Sequence, residues 1–242
     1  MSKTNTPKNW FKSWSNEYDR TLGKVPRHHL LLDTVVGHSG IKDGYNVLDI
    51  GCGTGLSSLK LLKAADCRVT AFDISKDMMD IFKEKARSLK IGDRLRFKLG
   101  DAVRASFKDR EFDLAISTVT LHHIKHKDKF STVKKIYRAL KPRGRFVIGE
   151  IDLDTTGKLT GLKRLDRIMR YIVDELKLAA KSGGEGAVSR MFDNGKRHLF
   201  NDGEYCVSAV RWAELSRRAG FRKVLIKNVG RFRWFKVIVC DK

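Results

Sequence analysis

The chain has 242 residues, with 50 Lys and Arg against 28 Asp and Glu, a net charge of +22 and a mean hydropathy of −0.37. That length supports one α/β domain with a sizeable core, and no apolar run reaches the ~18 residues that a membrane span requires. The charge favours anionic neighbours, whether nucleic acid, acidic lipid or an acidic small molecule, unless the whole proteome of the source runs basic. Residues 1–8 are polar and lack the apolar centre of a signal peptide, and Cys52, Cys67, Cys206 and Cys240 show no metal or redox spacing, so a reduced cytoplasmic protein is expected.

Residues 1–9 read as disordered. Trp10, Trp14, Tyr18 and Leu22 then recur every four residues, a helical stripe that suits either a lid over a site or an interface helix on a membrane. We expect the lid, over residues 1–24. Pro26 opens a second helix, whose Leu30, Leu31, Val35 and Val36 face inward and which ends at 37–40.

The stretch Val47-Leu-Asp-Ile-Gly-Cys-Gly-Thr-Gly55 organises the rest of the chain. A short apolar strand, 46–50, breaks into glycines at 51, 53 and 55, and a helical pattern starts at Leu56. Strand, glycine turn and helix N-terminus together cradle a nucleoside-type cofactor. The spacing departs from a dinucleotide fingerprint, which argues against NAD and FAD. A second strand, 67–72, ends in Asp73, where a ribose diol would be hydrogen-bonded; a third, 95–99, ends in Gly100-Asp101-Ala102. Either aspartate alone would read as a turn residue. Ser75 caps a helix with Met78, Phe82, Ala86 and Leu89 on one stripe.

A fourth strand at 112–117, a helix at 129–140, a turn at 141–144 and a fifth strand at 145–151 complete a parallel α/β alternation. Leu162, Leu165, Ile168, Ile172, Leu176 and Ala179 mark a long amphipathic helix, stopped at Ser182-Gly183-Gly184. Residues 183–206 lack periodicity and read as a cap insertion. Ser208 caps a last helix, and 221–227 with 232–239 form a closing hairpin. The expected fold is a Rossmann-like, seven-stranded, mostly parallel sheet with helices on both faces and an antiparallel last strand, in a single domain, 1–242.

Asp49-Ile-Gly-Cys-Gly-Thr-Gly55, Phe72-Asp73-Ile-Ser, Gly100-Asp101-Ala and Phe112-Asp113-Leu-Ala-Ile-Ser117 resemble the successive motifs of class I S-adenosylmethionine (SAM) methyltransferases. Leu121-His-His-Ile124 and Leu140-Lys-Pro-Arg-Gly-Arg-Phe-Val147 are similar to the branch that holds ubiquinone- and menaquinone-biosynthesis and other small-molecule methyltransferases. The resemblance covers about residues 10–155 well and the last thirty loosely. It implies SAM as cofactor and S-adenosylhomocysteine as product. The implied cofactor residues are Asp49, Gly51, Cys52, Gly53, Thr54, Gly55, Asp73, Ile74, Asp101, Ala102 and Ser117.

Methyl transfer from a sulfonium is an in-line displacement, so the protein needs to align the partners and exclude water more than to supply a nucleophile. Ser117-Thr-Val-Thr120 stands where an Asn/Asp-Pro-Pro-aromatic motif would signal transfer to adenine or a glutamine amide, and no Pro-Cys pair offers a cytosine nucleophile. His122 and His123 are the candidate acid–base residues, and Trp14, Tyr18, His198 and Tyr205 the candidate acceptor contacts. His122 and His126 have the i, i+4 spacing of a metal pair, but no acidic or cysteine ligand stands near them in sequence, and no metal is expected. The reading is a methyltransferase acting on a small-molecule or lipid-like acceptor. Two alternatives stand beside it: an RNA methyltransferase, and a SAM- or nucleic-acid-binding protein without turnover. Peripheral contact with an anionic membrane is compatible with the charge; the oligomeric state is not legible.

Overall fold

Val47, Leu48, Asp49 and Ile50 are all buried in β1 (Asn46–Ile50), because helices cover the sheet on both sides of this strand. The computed structural model describes residue 19 and residues 26–182, 188–189, 192, 199–200 and 203–242. Trp10, Trp14, Tyr18, Leu22, Met191 and His198 lie outside the described residues, and with them most of the expected lid and cap.

The elements after β1 are α2 (Leu56–Ala64), β2 (Arg68–Asp73), α3 (Lys76–Ser88), β3 (Leu95–Leu99), β4 (Phe112–Thr118), α4 (His126–Ala139) and β5 (Leu140–Ile151). Then come α5 (Leu162–Ser182), α6 (Ala209–Ala219), β6 (Lys223–Val229) and β7 (Phe232–Asp241); α1 (Pro26–Ser39) precedes them all. One sheet holds the seven strands in the order β3-β2-β1-β4-β5-β7-β6. Pairing is parallel from β3 to β5, while β7 runs antiparallel to both β5 and β6. The chain leaves β1 towards β2 and β3, then crosses to β4 on the other side, which opens a crevice at the carboxyl ends of β1 and β4.

The two faces follow the strand alternation. Val47, Leu114, Ile116 and Val147 pack under α1, α2 and α5 through Leu31, Val35, Leu61, Ile168 and Ile172. Leu48, Ile50, Ala115, Phe146 and Ile148 pack under α4 and α6 through Val133, Ile136, Trp212 and Leu215. Ser75 accepts from Met78 N at 3.3 Å and Ser208 from Arg211 N at 3.2 Å, so both expected caps form.

Two boundaries and two helix faces differ from the sequence reading. β5 begins at Leu140 rather than 145, because Leu140 already pairs with Phe112, and the expected turn, 141–144, is an irregularity within the strand before Arg145 pairs with Leu114. Lys141 then reaches Asp113 at 2.8 Å and Arg145 reaches Asp241 at 2.6 Å. α4 starts at His126 rather than 129, and Lys129 is buried, with Nζ donating to Leu121 O at 2.7 Å and lying 4.7 Å from the Trp212 ring centre. On α1 the inward residues are Leu31, Leu32 and Val35, while Leu30 is exposed. On α5, Leu162 is exposed, and Ile168, Tyr171, Ile172 and Glu175 form the buried face. Glu175 pairs with Arg27 at 2.6 Å, which ties α5 to α1. Among the described residues no helix is long and apolar enough to cross a membrane.

Candidate cofactor site and the histidine turn beside it

The backbone beyond β1 is held against the tip of β2. Gly51 N and Cys52 N both donate to Phe72 O, at 2.7 and 3.1 Å. Two glycines are then required for different reasons. Gly53 has φ 52, and a Cβ there would meet no atom within 4 Å because it would stand in open space on the cavity side. Gly55 has φ 87 and starts α2; a Cβ there would come within 2.3 Å of the Phe82 ring. The first brings bare backbone to a ligand, the second lets α3 pack on the turn.

Asp73 closes the cradle. Its Oδ2 accepts from Gly53 N at 2.7 Å and its Oδ1 from Ser75 N at 2.8 Å. Burial raises its pKa, against the lowering effect of these backbone amides. Asp101 is held in the same way, Oδ1 accepting from Val103 N at 2.8 Å.

These tips surround a cavity of about 460 Å³, within the range of small-molecule sites. Gly51, Cys52, Gly53 and Thr54 line it from β1, Asp73 and Ile74 from β2, and Asp101 and Ala102 from β3. His123 lines it from the turn after β4, and His28 and Leu32 from α1. A Cβ-free approach at Gly53 facing a fixed carboxylate fits a nucleoside cofactor.

Three expected cofactor residues are not on the cavity wall. Asp49 lies beneath it, accepting from Ser58 Oγ at 2.6 Å, and Ser117 Oγ donates to Ile50 O at 2.8 Å. Gly55 serves the packing just described. Side chains inside a strand point mainly into the layers above and below, while residues at and beyond its end reach the crevice. Of the expected acceptor contacts, only Tyr205 is described, and it does not line the cavity; its ring stands edge-on to His126 at 5.8 Å.

The turn Leu121–His123 is built on one carboxylate. Glu150 Oε1, at the end of β5, accepts from Thr120 N at 2.9 Å and Leu121 N at 2.6 Å, and Oε2 accepts from His122 Nδ1 at 2.7 Å. His122 is 3% exposed and faces a second carboxylate, its Nε2 lying 3.3 Å from Glu204 Oε2. Burial lowers the His122 pKa, but Glu150 and Glu204 outweigh it and the net shift is upward. Tyr205 N donates to His122 O at 2.7 Å, and His123 Nδ1 donates to Gly203 O at 2.9 Å. The two histidines therefore separate: His123 faces the cavity, and His122 is locked behind it.

Four contributors escaped the sequence reading. His28 had a signal, since it shares a helical face with Leu31, Leu32 and Val35; burial lowers its pKa to about 4 and keeps it neutral. Glu150 had one too, as a carboxylate inside the apolar run 146–151 must find partners. Glu204 had none, because its partner is distant in sequence. Asp19 had none either, yet it accepts from Thr54 Oγ1 at 2.7 Å and pairs with Lys85, which itself donates to Thr54 O at 2.9 Å.

Residues 47–144 match the family model described as a methyltransferase domain. The chain is 30% identical over 149 residues to demethylmenaquinone methyltransferase of Staphylococcus aureus (strain MRSA252), which covers 60% of this chain and 60% of that protein. It is 30% identical over 120 residues to 27-O-demethylrifamycin SV methyltransferase of Amycolatopsis mediterranei (strain S699), 50% of this chain and 43% of that one. It therefore spans less than two thirds of the length of these curated relatives. Its fold is shared with 1,6-didemethyltoxoflavin-N1-methyltransferase of Burkholderia thailandensis, at a TM-score of 0.66, 20% identity and coverage of 97% of this chain and 86% of that one.

Proposed function

We propose that this chain, a class I SAM-dependent methyltransferase by its fold and its residues 47–144, methylates a small-molecule acceptor. The carrying observation is the bare Gly53 backbone, hydrogen-bonded to the fixed Asp73 carboxylate, on the wall of a cavity of small-molecule size. When bound, SAM supplies an activated methyl group on a sulfonium. The chain's own residues do the rest. Asp73 takes the ribose hydroxyls, the backbone at Gly51–Thr54 leaves room for the amino-acid end, and Asp101 and Ala102 border the base. His123 is the imidazole on the cavity wall, placed to orient the acceptor or take its proton. The lid segment 1–24 and the insertion 183–206, with Trp14, Tyr18 and His198 as acceptor contacts, would exclude water from the reacting carbon. Asp19 on Thr54 supports that assignment for the first of them.

No disulfide joins the four buried cysteines, in keeping with a reducing compartment, and we assign the protein to the cytoplasm. A lipid-like acceptor presented at an anionic membrane agrees with the charge of +22. The same charge favours the second reading, transfer to RNA.

Calorimetry with S-adenosylhomocysteine tests the cofactor site. Asp73→Ala should weaken binding about ten- to a hundredfold, the loss of a charge-assisted contact worth about 1.5–3 kcal/mol, and NAD should not bind. Unchanged affinity in a folded variant would move the ribose elsewhere.

A further inference from the structure

We propose that His28 accepts a hydrogen bond from the atom that receives the methyl group, and that this atom is an uncharged hydroxyl or the N–H of a conjugated ring. The inference rests on the methyltransferase reading and names the class of acceptor for it.

The sheet order sets the two sides of the cavity. With ribose and base at Asp73, Asp101 and Ala102, the cofactor's nucleoside end occupies the tips of β2 and β3, and β4 stands on the opposite side of β1. The β4 side is then left for the methyl group and its acceptor. α1 closes that side. Gly149 in β5 lets the helix come close, since a Cβ there would lie 2.6 Å from the Val35 side chain and 3.4 Å from that of Thr118. His28 precedes Val35 by two helical turns on the same face, and both His28 and Leu32, one turn further on, line the cavity.

The chemistry of this side is uncharged. The described residues that line it are His28, Leu32, Thr118, Val119, Thr120 and His123, and none carries a fixed charge. The charged residues of the cavity wall come instead from β2 and β3 and from 125–128. A buried anion would need a cation beside it, and an ammonium would need a carboxylate. Val119 supplies a second observation. Its φ is 49, costly for a β-branched residue, and its N–H is held on Gly149 O at 2.8 Å. Backbone strain kept at a cavity wall points to a position that the site uses. His28 itself is 7% exposed. Burial, and then the charges of His29 and Arg27, lower its pKa to about 4 against the pull of Asp19. A neutral imidazole keeps one nitrogen lone pair, which accepts from an O–H or N–H. As the acceptor atom bonds to the methyl carbon, sulfur keeps the electron pair of the bond that breaks. Positive charge builds on the acceptor atom, and its proton passes to the His28 ring and from there to water.

Sinefungin, a SAM analogue with an amine at the position of the transferable methyl, reads this place without turnover. Calorimetry on the full chain compares it with S-adenosylhomocysteine. His28→Leu, checked for native circular dichroism, should bind sinefungin at least about fivefold more weakly than wild type and S-adenosylhomocysteine equally well; His28→Gln should recover part of the loss. Nitrogen-15 spectra of wild type need no variant. They should show the His28 ring neutral at pH 7 and shifted by sinefungin more than by S-adenosylhomocysteine. Equal losses for the two ligands would make His28 a packing residue, and a ring that sinefungin leaves unmoved would place it away from the methyl group; either result overturns the proposal. Failure of wild type to bind either ligand would strike the cofactor reading itself, and this inference with it.

Discussion

Asp49 has its carboxyl wholly inside the sheet. Burial, eased by the Ser58 hydroxyl and aggravated by the charge of Asp73, raises its pKa from 3.8 to about 7. A carboxyl that holds its proton more tightly folded than unfolded favours the fold at low pH. That contribution is complete below about pH 4 and is lost as the pH rises towards 7. Asp49→Asn keeps an acceptor for Ser58 and removes the charge. It should therefore resemble wild type in urea unfolding at pH 4 and exceed it at pH 8, by at most about 4 kcal/mol less the cost of burying the amide. A variant no more stable at pH 8 would mean that Asp49 ionises without penalty. At this scale the sequence was informative wherever function follows from position along the chain. Gly51, Cys52, Gly53, Thr54, Asp73 and Asp101 reach the cavity because residues at or just past consecutive parallel strand ends must meet there. Asp49 and Ser117 were expected beside them and instead brace the strands, since each precedes a strand end. Glu204 was beyond reach, because nothing local announces that a residue after the insertion returns to His122.

At the scale of elements, the seven strands were legible because apolar runs of strand length alternate with helical stripes, a pattern with few alternative packings. The start of β5 was not, because the basic and glycine-containing stretch 141–144 reads as a turn, while Leu140 before it already pairs with Phe112. The segment before α1 bears on function through one residue. Asp19 is bonded to Thr54 on the glycine turn and to Lys85 on α3, so this one residue reaches the turn that borders the cavity. Deleting residues 1–22 removes that contact together with Trp10, Trp14 and Tyr18. The truncated chain should keep its far-ultraviolet spectrum and bind S-adenosylhomocysteine several-fold more weakly, since none of the strand-tip residues is lost. Turnover should fall much further than affinity, because an open site lets water reach the reacting carbon. Normal turnover after truncation would give this stripe to another surface, and liposome co-sedimentation of the intact chain would then be the measurement to make.

For the whole molecule the outstanding quantity is the charge. Internal pairing absorbs part of it: Lys141 with Asp113, Arg145 with Asp241, Arg138 with Asp109 and Arg211 with Glu214. With 50 basic and 28 acidic residues, most of the excess has no acidic partner to find. Much of it lies on α6, β6 and the turns that flank β6, where Arg217, Arg218, Arg222, Lys223 and Arg231 are exposed. β6 is the edge strand, several places from the β1–β4 crevice, so this surface is separate from the cavity. A basic face without its own site attracts polyanions through counterion release, with little regard to sequence. Weak RNA binding is therefore expected, with log affinity falling by about 0.7–0.9 per log unit of salt for each phosphate neutralised. The paired change Arg222→Glu with Lys223→Glu should reduce that binding and its salt slope while leaving S-adenosylhomocysteine affinity unchanged. No labelled methyl group should enter total tRNA or rRNA. Incorporation by wild type but not by Asp73→Ala would reverse the choice between acceptors, and the basic face would become the substrate platform of an RNA methyltransferase.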